Sequence, residues 1–133
     1  MRIVLSGSMR FEADIDSVAR ALEARGHRVH VPTPTPRGVD LGALDDRELV
    51  DLKAAFLAEH LDAIRGADAL LVVNVDTAEA RGYVGASTLV ELAFATALGV
   101  PTFLLHPPGR QPHRLDALAM RPVVIAGDLD RLD

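Results

Sequence analysis

Residues 82–109 read GYVGASTLVELAFATALGVPTFLLHPPG and carry one formal charge, Glu91. The apolar stretch 84–105 is long enough to raise the question of a membrane span. Gly99 and Pro101, however, divide it into a helix-length piece, 86–98, and a strand-length piece, 101–105. A helix that passes through a glycine and a proline into a short apolar strand is one unit of an alternating α/β chain.

The same alternation extends to both sides. Strands are expected at 2–6, 28–31, 69–74, 101–105 and 122–125, and helices at 14–25, 45–65 and 86–98, with a short one near 115–119. Asp14 is placed to cap the first helix, and Gly26, Gly66 and Gly99 each sit just past a helix end, where a left-handed residue is wanted. Strands apolar on both faces and joined by helices argue a parallel sheet covered on both sides, with right-handed crossovers. The expected fold is a single domain, residues 1–133: a small doubly wound α/β sheet of about five strands, Rossmann-like or flavodoxin-like. The proline-rich stretch Pro32, Thr33, Pro34, Thr35, Pro36, Arg37, Gly38 can be neither helix nor central strand, so a loop at the sheet rim is expected there.

Composition narrows the function classes. The 133 residues are 49% hydrophobic and 25% charged, as in ordinary globular proteins. A net charge of −5, with no basic stripe, argues against a nucleic-acid polymer as partner and leaves small charged ligands open. The absence of cysteine excludes disulfides, thiolate nucleophiles and Cys-based zinc sites. The opening run Met1, Arg2, Ile3, Val4, Leu5 is too short for a signal peptide, so a cytoplasmic location is expected. His106 and His113 frame a Pro/Gly turn with no acidic ligand at metal spacing; they read as surface loop, and neither metal nor cofactor is expected.

Glu91 needs an explanation, because an ionised carboxylate among Leu89, Val90, Leu92, Ala93, Phe94 and Ala95 is costly unless something pairs with it, hydrogen-bonds it or uses it. Spacing allows two readings. If the helix begins at Thr88, then Thr88 and Glu91 form a capping box and Glu91 serves only the helix start. If it begins near Ala86, Glu91 lies in the second turn and projects from a packed face into a pocket.

In such folds ligands bind outside the carboxyl ends of the strands, where the loops 6–11, 32–38 and 75–87 gather. Ser6, Gly7, Ser8, Met9, Arg10 and Phe11 offer an anion backbone N–H groups, a hydroxyl and a guanidinium at a helix entrance. Neither GxxxxGK[ST] nor GxGxxG occurs, which disfavours a P-loop NTPase and a standard dinucleotide dehydrogenase. The later loop carries Asn74, Asp76, Gly82, Tyr83, Gly85, Ser87 and Thr88. Its glycines admit a ligand close to the backbone, Tyr83 can stack on a ring, and Ser87 or Thr88 can bind polar groups.

These residues resemble the nucleoside 2-deoxyribosyltransferase-like superfamily, including its 5′-monophosphate N-glycosidase branch, over most of the chain. The resemblance rests on Gly7, Ser8, Met9, Arg10 after the first strand and on Ala67, Asp68 opening the third. It rests further on Gly82, Tyr83, Val84, Gly85 leading to Glu91, Leu92, Ala93, Phe94, Ala95 before Gly99, Val100, Pro101. It implies that Glu91 is the nucleophile and that Ser8 and Arg10 hold a 5′-phosphate, with Gly7, Met9, Asn74, Tyr83, Gly85 and Ser87 around the substrate. Two positions depart from the family pattern: His60 stands where an Asp is usual, and Gly85 where a polar or acidic residue is usual. His60 has Phe56 and Ile64 one turn to either side, so it reads either as a core histidine with one hydrogen bond or as part of the site.

The implied chemistry is cleavage of an N-glycosidic bond, which builds positive charge on the sugar that a carboxylate can stabilise or capture. Donors such as the Tyr83 hydroxyl, Ser87 or backbone N–H groups are expected to oppose desolvation of Glu91, and Asp68, Asp76 or His60 to serve the departing base. Attack by water makes the protein a hydrolase, and attack by another base a transferase; Ser8 and Arg10 favour hydrolysis of a monophosphate. The expected partners are a small nucleoside or nucleotide and a second copy of the chain, with helix 86–98 contributing to a dimer. The rival readings are a non-catalytic nucleotide-binding or sensor module, and a plain scaffold in which Glu91 only caps a helix.

Overall fold

Five strands, β1 (Arg2–Ser6), β2 (Arg28–His30), β3 (Ala69–Val72), β4 (Thr102–Leu104) and β5 (Val123–Val124), form one sheet in the order β2-β1-β3-β4-β5, and every neighbouring pair is parallel. The structure is a computed structural model that describes residues 1–33 and 38–132. Among the described residues four α-helices connect and cover the strands: α1 (Glu12–Ala24), α2 (Asp46–Arg65), α3 (Ala86–Ala97) and α4 (Arg114–Ala119). This is the α/β architecture that the alternation predicted.

Strand side chains alternate between the two faces, and each face has its own core. Ile3, Leu5, Ala69, Leu71 and Val73 meet Ile15, Ala19 and Leu22 of α1 on one side. Val4, Leu70, Val72 and Leu104 meet Ile64 of α2, Leu92 and Ala95 of α3 and Ala117 of α4 on the other. Each fully buried aliphatic side chain of this kind contributes about 1.5–3 kcal/mol. Ser6 follows Val4 by two residues, so its hydroxyl is on the α2 and α3 side. The strand order reverses between β1 and β3, and the crevice outside their carboxyl ends is where a doubly wound sheet opens.

The ends of several elements differ from the sequence reading. A 3-10 turn, Met9–Phe11, precedes α1, which starts at Glu12 with Phe11 at its N-cap; Asp14 therefore lies in the first turn, facing the helix dipole, and does not cap. Asp45 does cap α2, in a full capping box with Glu48. Gly26 and Gly99 are left-handed, at φ 89° and 73°, whereas Gly66 is not, at φ −101°. Gly66 is small for another reason: a Cβ there would stand 3.3 Å from Nη1 of Arg2, whose guanidinium lies against the carboxyl end of α2. β3 ends at Val72; the Val73 N–H still donates to the Ser6 carbonyl at 2.7 Å, and Asn74 then bonds to His106 and Gly82. Of the loop expected at 32–38, residues 34–37 lie outside the described residues. Short 3-10 turns at Leu41–Ala43 and Leu129–Leu132 were not expected. Among the described residues no helix is long and apolar enough to cross a membrane.

Candidate active site

Gly85 is the N-cap of α3, with φ −80° and ψ 172°, and no side chain caps the helix. The capping-box reading of Thr88 therefore fails, and Glu91 lies in the second turn, 9% exposed. Three elements converge on its carboxylate. The Ser6 hydroxyl at the end of β1 donates to Oε2, and Nδ1 of His60, from α2, stands 2.5 Å from Oε1. The other ring nitrogen, Nε2, is 3.0 Å from the main-chain carbonyl of Leu5. These bonds come from Ser6 and His60, where the sequence suggested Tyr83, Ser87 or backbone amides.

A carbonyl oxygen only accepts, so Nε2 of His60 donates to Leu5 and Nδ1 is the ring atom turned to Glu91. Oε2 accepts from Ser6, so both carboxyl oxygens have a partner. Burial is thereby tolerated without an unpaired ion in the core.

His30 of β2 stacks on His60, with ring centroids 5.6 Å apart and planes at 27°. Its Nε2 is buried and has no hydrogen-bond partner among the described residues. Burial, then the neighbouring His60, holds its pKa below the ordinary 6.5; Arg2 adds to this, and Glu59 works against it. A depressed histidine pKa means that the unfolded chain takes up the proton first as pH falls. The stability it contributes is full above 6.5 and is lost as pH drops below that value toward the lower folded pKa. We expect the urea midpoint to fall between pH 7.5 and 5.5, and to fall less in His30→Gln; equal losses in the two proteins would remove His30 as the cause.

A second constellation ties the loops after β3 and β4 to each other. Asn74, fully buried, donates from Nδ2 to the carbonyls of His106 (2.6 Å) and Gly82 (3.3 Å) and accepts at Oδ1 from the His106 N–H (3.0 Å). Gln111 accepts from the Val84 N–H at 2.7 Å and donates to the Gly82 carbonyl at 3.0 Å. Asp76 accepts from the Gly82 N–H at 2.9 Å. Asn74 and Asp76 thus hold the loops that follow β3 and β4, and Asn74 has little left to offer a substrate. Gln111 escaped the sequence reading, because a lone glutamine in a Pro/Gly loop carries no pattern.

The loop after β1 contributes the third group. Gly7 lies close to the Val73 carbonyl, 3.1 Å from where its Cβ would be, and the half-buried Ser8 accepts from the Arg10 N–H at 3.3 Å. Met9 is half-buried in the 3-10 turn. The Arg10 guanidinium stands over the Tyr83 and Phe11 rings, 5.0 and 5.4 Å from their centroids, and Nη1 is 3.4 Å from Glu79. Tyr83 in turn meets Phe11 edge-on and lies beside Gly85, 3.5 Å from where a Cβ would be. Ser87 is exposed in the first turn of α3. Asp68 stands apart: it accepts from the Arg2 N–H at 2.8 Å, at the amino end of the sheet, about 13 Å along β1 from Ser6. His106 is held through its backbone, and His113 is the N-cap of α4, without a side-chain cap bond. Among the described residues no group of three or more His, Asp or Glu is placed to hold a metal ion.

Taken over the whole chain, the fold is nucleoside 2-deoxyribosyltransferase-like. The chain is similar to a 2-deoxyribosyltransferase from Bacillus psychrosaccharolyticus, with a TM-score of 0.68 and 18% identity over 99% of this chain and 90% of that one. It is similar to a CMP N-glycosidase from Clostridium botulinum, with a TM-score of 0.54 and 18% identity over 93% and 85% of the two chains. A 2-deoxyribosyltransferase from Leishmania mexicana gives a TM-score of 0.52 and 21% identity over 80% and 65%. No family model matches the chain, and no curated protein matches it in sequence.

Proposed function

We propose that this protein cleaves or transfers the N-glycosidic bond of a nucleoside or deoxynucleoside, or of its 5′-monophosphate, with Glu91 as nucleophile. The observation that carries the proposal is a single buried carboxylate, held by Ser6 and His60, beside the carboxyl ends of β1 and β3. Two proteins of similar fold, described as a 2-deoxyribosyltransferase and a CMP N-glycosidase, support the substrate class.

In the proposed reaction a Glu91 oxygen forms a bond to C1′ as the bond from C1′ to the base nitrogen breaks. The electron pair leaves with the base, which takes up a proton. Water then attacks C1′, the ester bond to Glu91 breaks, and the proton lost by the water balances the one taken by the base. A second base in place of water makes the reaction a transfer. Ser6 and His60 orient the carboxylate from either oxygen, and Glu91 attacks as the anion. Ser8, Arg10 and the uncapped amino end of α1 suit a 5′-phosphate, which favours hydrolysis of a monophosphate. Asp68 has no part in this reading, because it lies at the other end of the sheet.

The test is product analysis on a panel of nucleosides, deoxynucleosides and their 5′-monophosphates. We expect free base to accumulate from a subset of them. A panel that raises the melting temperature without any turnover would instead support a nucleotide-binding module without catalysis. That reading is favoured by one observation: both Glu91 oxygens are already hydrogen-bonded.

The proposal includes a cytoplasmic location and a homodimer. Val50 and Leu57, one face of α2 seven residues apart, are 63% and 38% exposed, and the buried residues of this helix are His60 and Ile64 alone. Val90 on α3 and Leu98 at its C-cap are also exposed, so α2 joins the expected α3 as an apolar surface that a second copy can cover. We expect a dimer by sedimentation equilibrium and a monomer in the double variant Val50→Glu, Leu57→Glu; a wild-type monomer at micromolar concentration would remove the dimer.

A further inference from the structure

We propose that Glu79 competes with a ligand's phosphate for the Arg10 guanidinium, and so sets how strongly the site prefers 5′-monophosphates over unphosphorylated nucleosides. The inference rests on the reading of Arg10 as the phosphate-holding residue. Arg10 belongs to the loop that leaves β1 and Glu79 to the loop that leaves β3, so their contact joins the two walls of the crevice.

Each partner is positioned by contacts other than the ion pair itself. The guanidinium is held by the faces of Tyr83 and Phe11, a stacking that uses no N–H donor. Glu79 sits in a turn closed by Thr77, whose hydroxyl accepts from the N–H groups of Glu79 (3.2 Å) and Ala80 (3.1 Å), while the Thr77 N–H donates to the Ala80 carbonyl at 2.9 Å. The Thr77 hydroxyl, with Glu79's own backbone N–H and Arg10 behind it, keeps the Glu79 carboxyl below the usual carboxylate range, so it is an anion at neutral pH.

The contact is weak in the way an exchangeable one must be. One carboxylate oxygen lies 3.4 Å from one guanidinium nitrogen, and the two side chains are 52% and 59% exposed. Exposed pairs of this kind are individually marginal, whereas a phosphate can take two parallel, shorter, charge-assisted bonds from the same guanidinium. The incoming phosphate therefore displaces Glu79, and the carboxylate charge that stays nearby penalises it. A nucleoside without a phosphate meets neither effect.

Isothermal titration of wild type, Glu79→Gln and Glu79→Lys with the four common ribonucleoside 5′-monophosphates and their parent nucleosides tests this. For a monophosphate that binds wild type, we expect Kd to fall about two- to fivefold in Glu79→Gln, the range open to an exposed ion pair, and further in Glu79→Lys, with nucleoside affinities unchanged. The gain disappears when Arg10→Gln is combined with Glu79→Gln. Monophosphate affinity that ignores Glu79, or equal tightening of nucleosides, overturns the proposal while leaving the nucleotide site intact. Absence of binding by every compound to every variant overturns both.

Discussion

Glu91→Ala is expected to remove glycosidic cleavage, lowering turnover by at least about a thousandfold, because no other carboxylate of the described residues is hydrogen-bonded to Ser6 or His60. Alanine also leaves the Ser6 hydroxyl and Nδ1 of His60 without their partner, so a stability loss of about 1–3 kcal/mol accompanies the loss of activity. Glu91→Gln separates the two effects. It keeps the side-chain shape and an acceptor for Ser6 but has no anionic oxygen to bond C1′. We therefore expect turnover to fall as far as in the alanine variant, with a smaller drop in melting temperature and nucleotide binding retained. Free base released equally by wild type and both variants would remove Glu91 from the chemistry. A fall in stability with no change in turnover would leave it as a structural residue.

Gly82→Ala is expected to have the largest effect on stability. Gly82 has φ 54°, and an added Cβ would stand 2.5 Å from the Pro107 carbonyl oxygen and 3.0 Å from Nδ2 of Asn74. Left-handed strain and overpacking against rigid backbone each cost about 1–3 kcal/mol, so a loss of about 2–6 kcal/mol follows. The melting temperature should drop by roughly 10 °C or more for a domain of this size. The clash is with the loop after β4, held by Asn74, and relief requires that loop to move. We therefore expect ligand binding to weaken along with stability in a thermal scan with and without nucleotide. A melting temperature within about 2 °C of wild type would show that the loop yields freely.

Much of this architecture was legible because parallel strands buried on both faces leave uninterrupted apolar runs, and because Gly26 and Gly99 mark helix ends by a conformation other residues avoid. Gly66 looked the same in sequence. Its reason is contact with Arg2, a residue 64 positions away, and no local pattern encodes that. The start of α3 was ambiguous for a similar reason: Thr88 and Glu91 satisfy the spacing of a capping box, and only the helix start, with Gly85 at the N-cap, decides against it. Asp14, similarly, is a good capping residue that lies two positions inside the helix.

Among the site residues, the sequence isolated Glu91 by its surroundings and the loop of Ser8 and Arg10 by its composition. It could not say what meets Glu91. Ser6 looked like the polar end of a strand, and His60 like a core histidine or a site residue with equal justice. Asp68 was attractive as an acid, yet it sits where β3 begins, and the direction of the strand carries it away from the crevice.

What the chain alone determined is its alternation of strands and helices, its two apolar layers and the isolation of one acid, since all three follow from hydrophobic periodicity and side-chain chemistry within short windows. What only the tertiary structure decided is that β1, α2 and α3 bring Ser6, His60 and Glu91 together, and that Arg10 meets Glu79. Such meetings depend on strand order and crossover direction, which place residues 85 or 31 positions apart within hydrogen-bond reach.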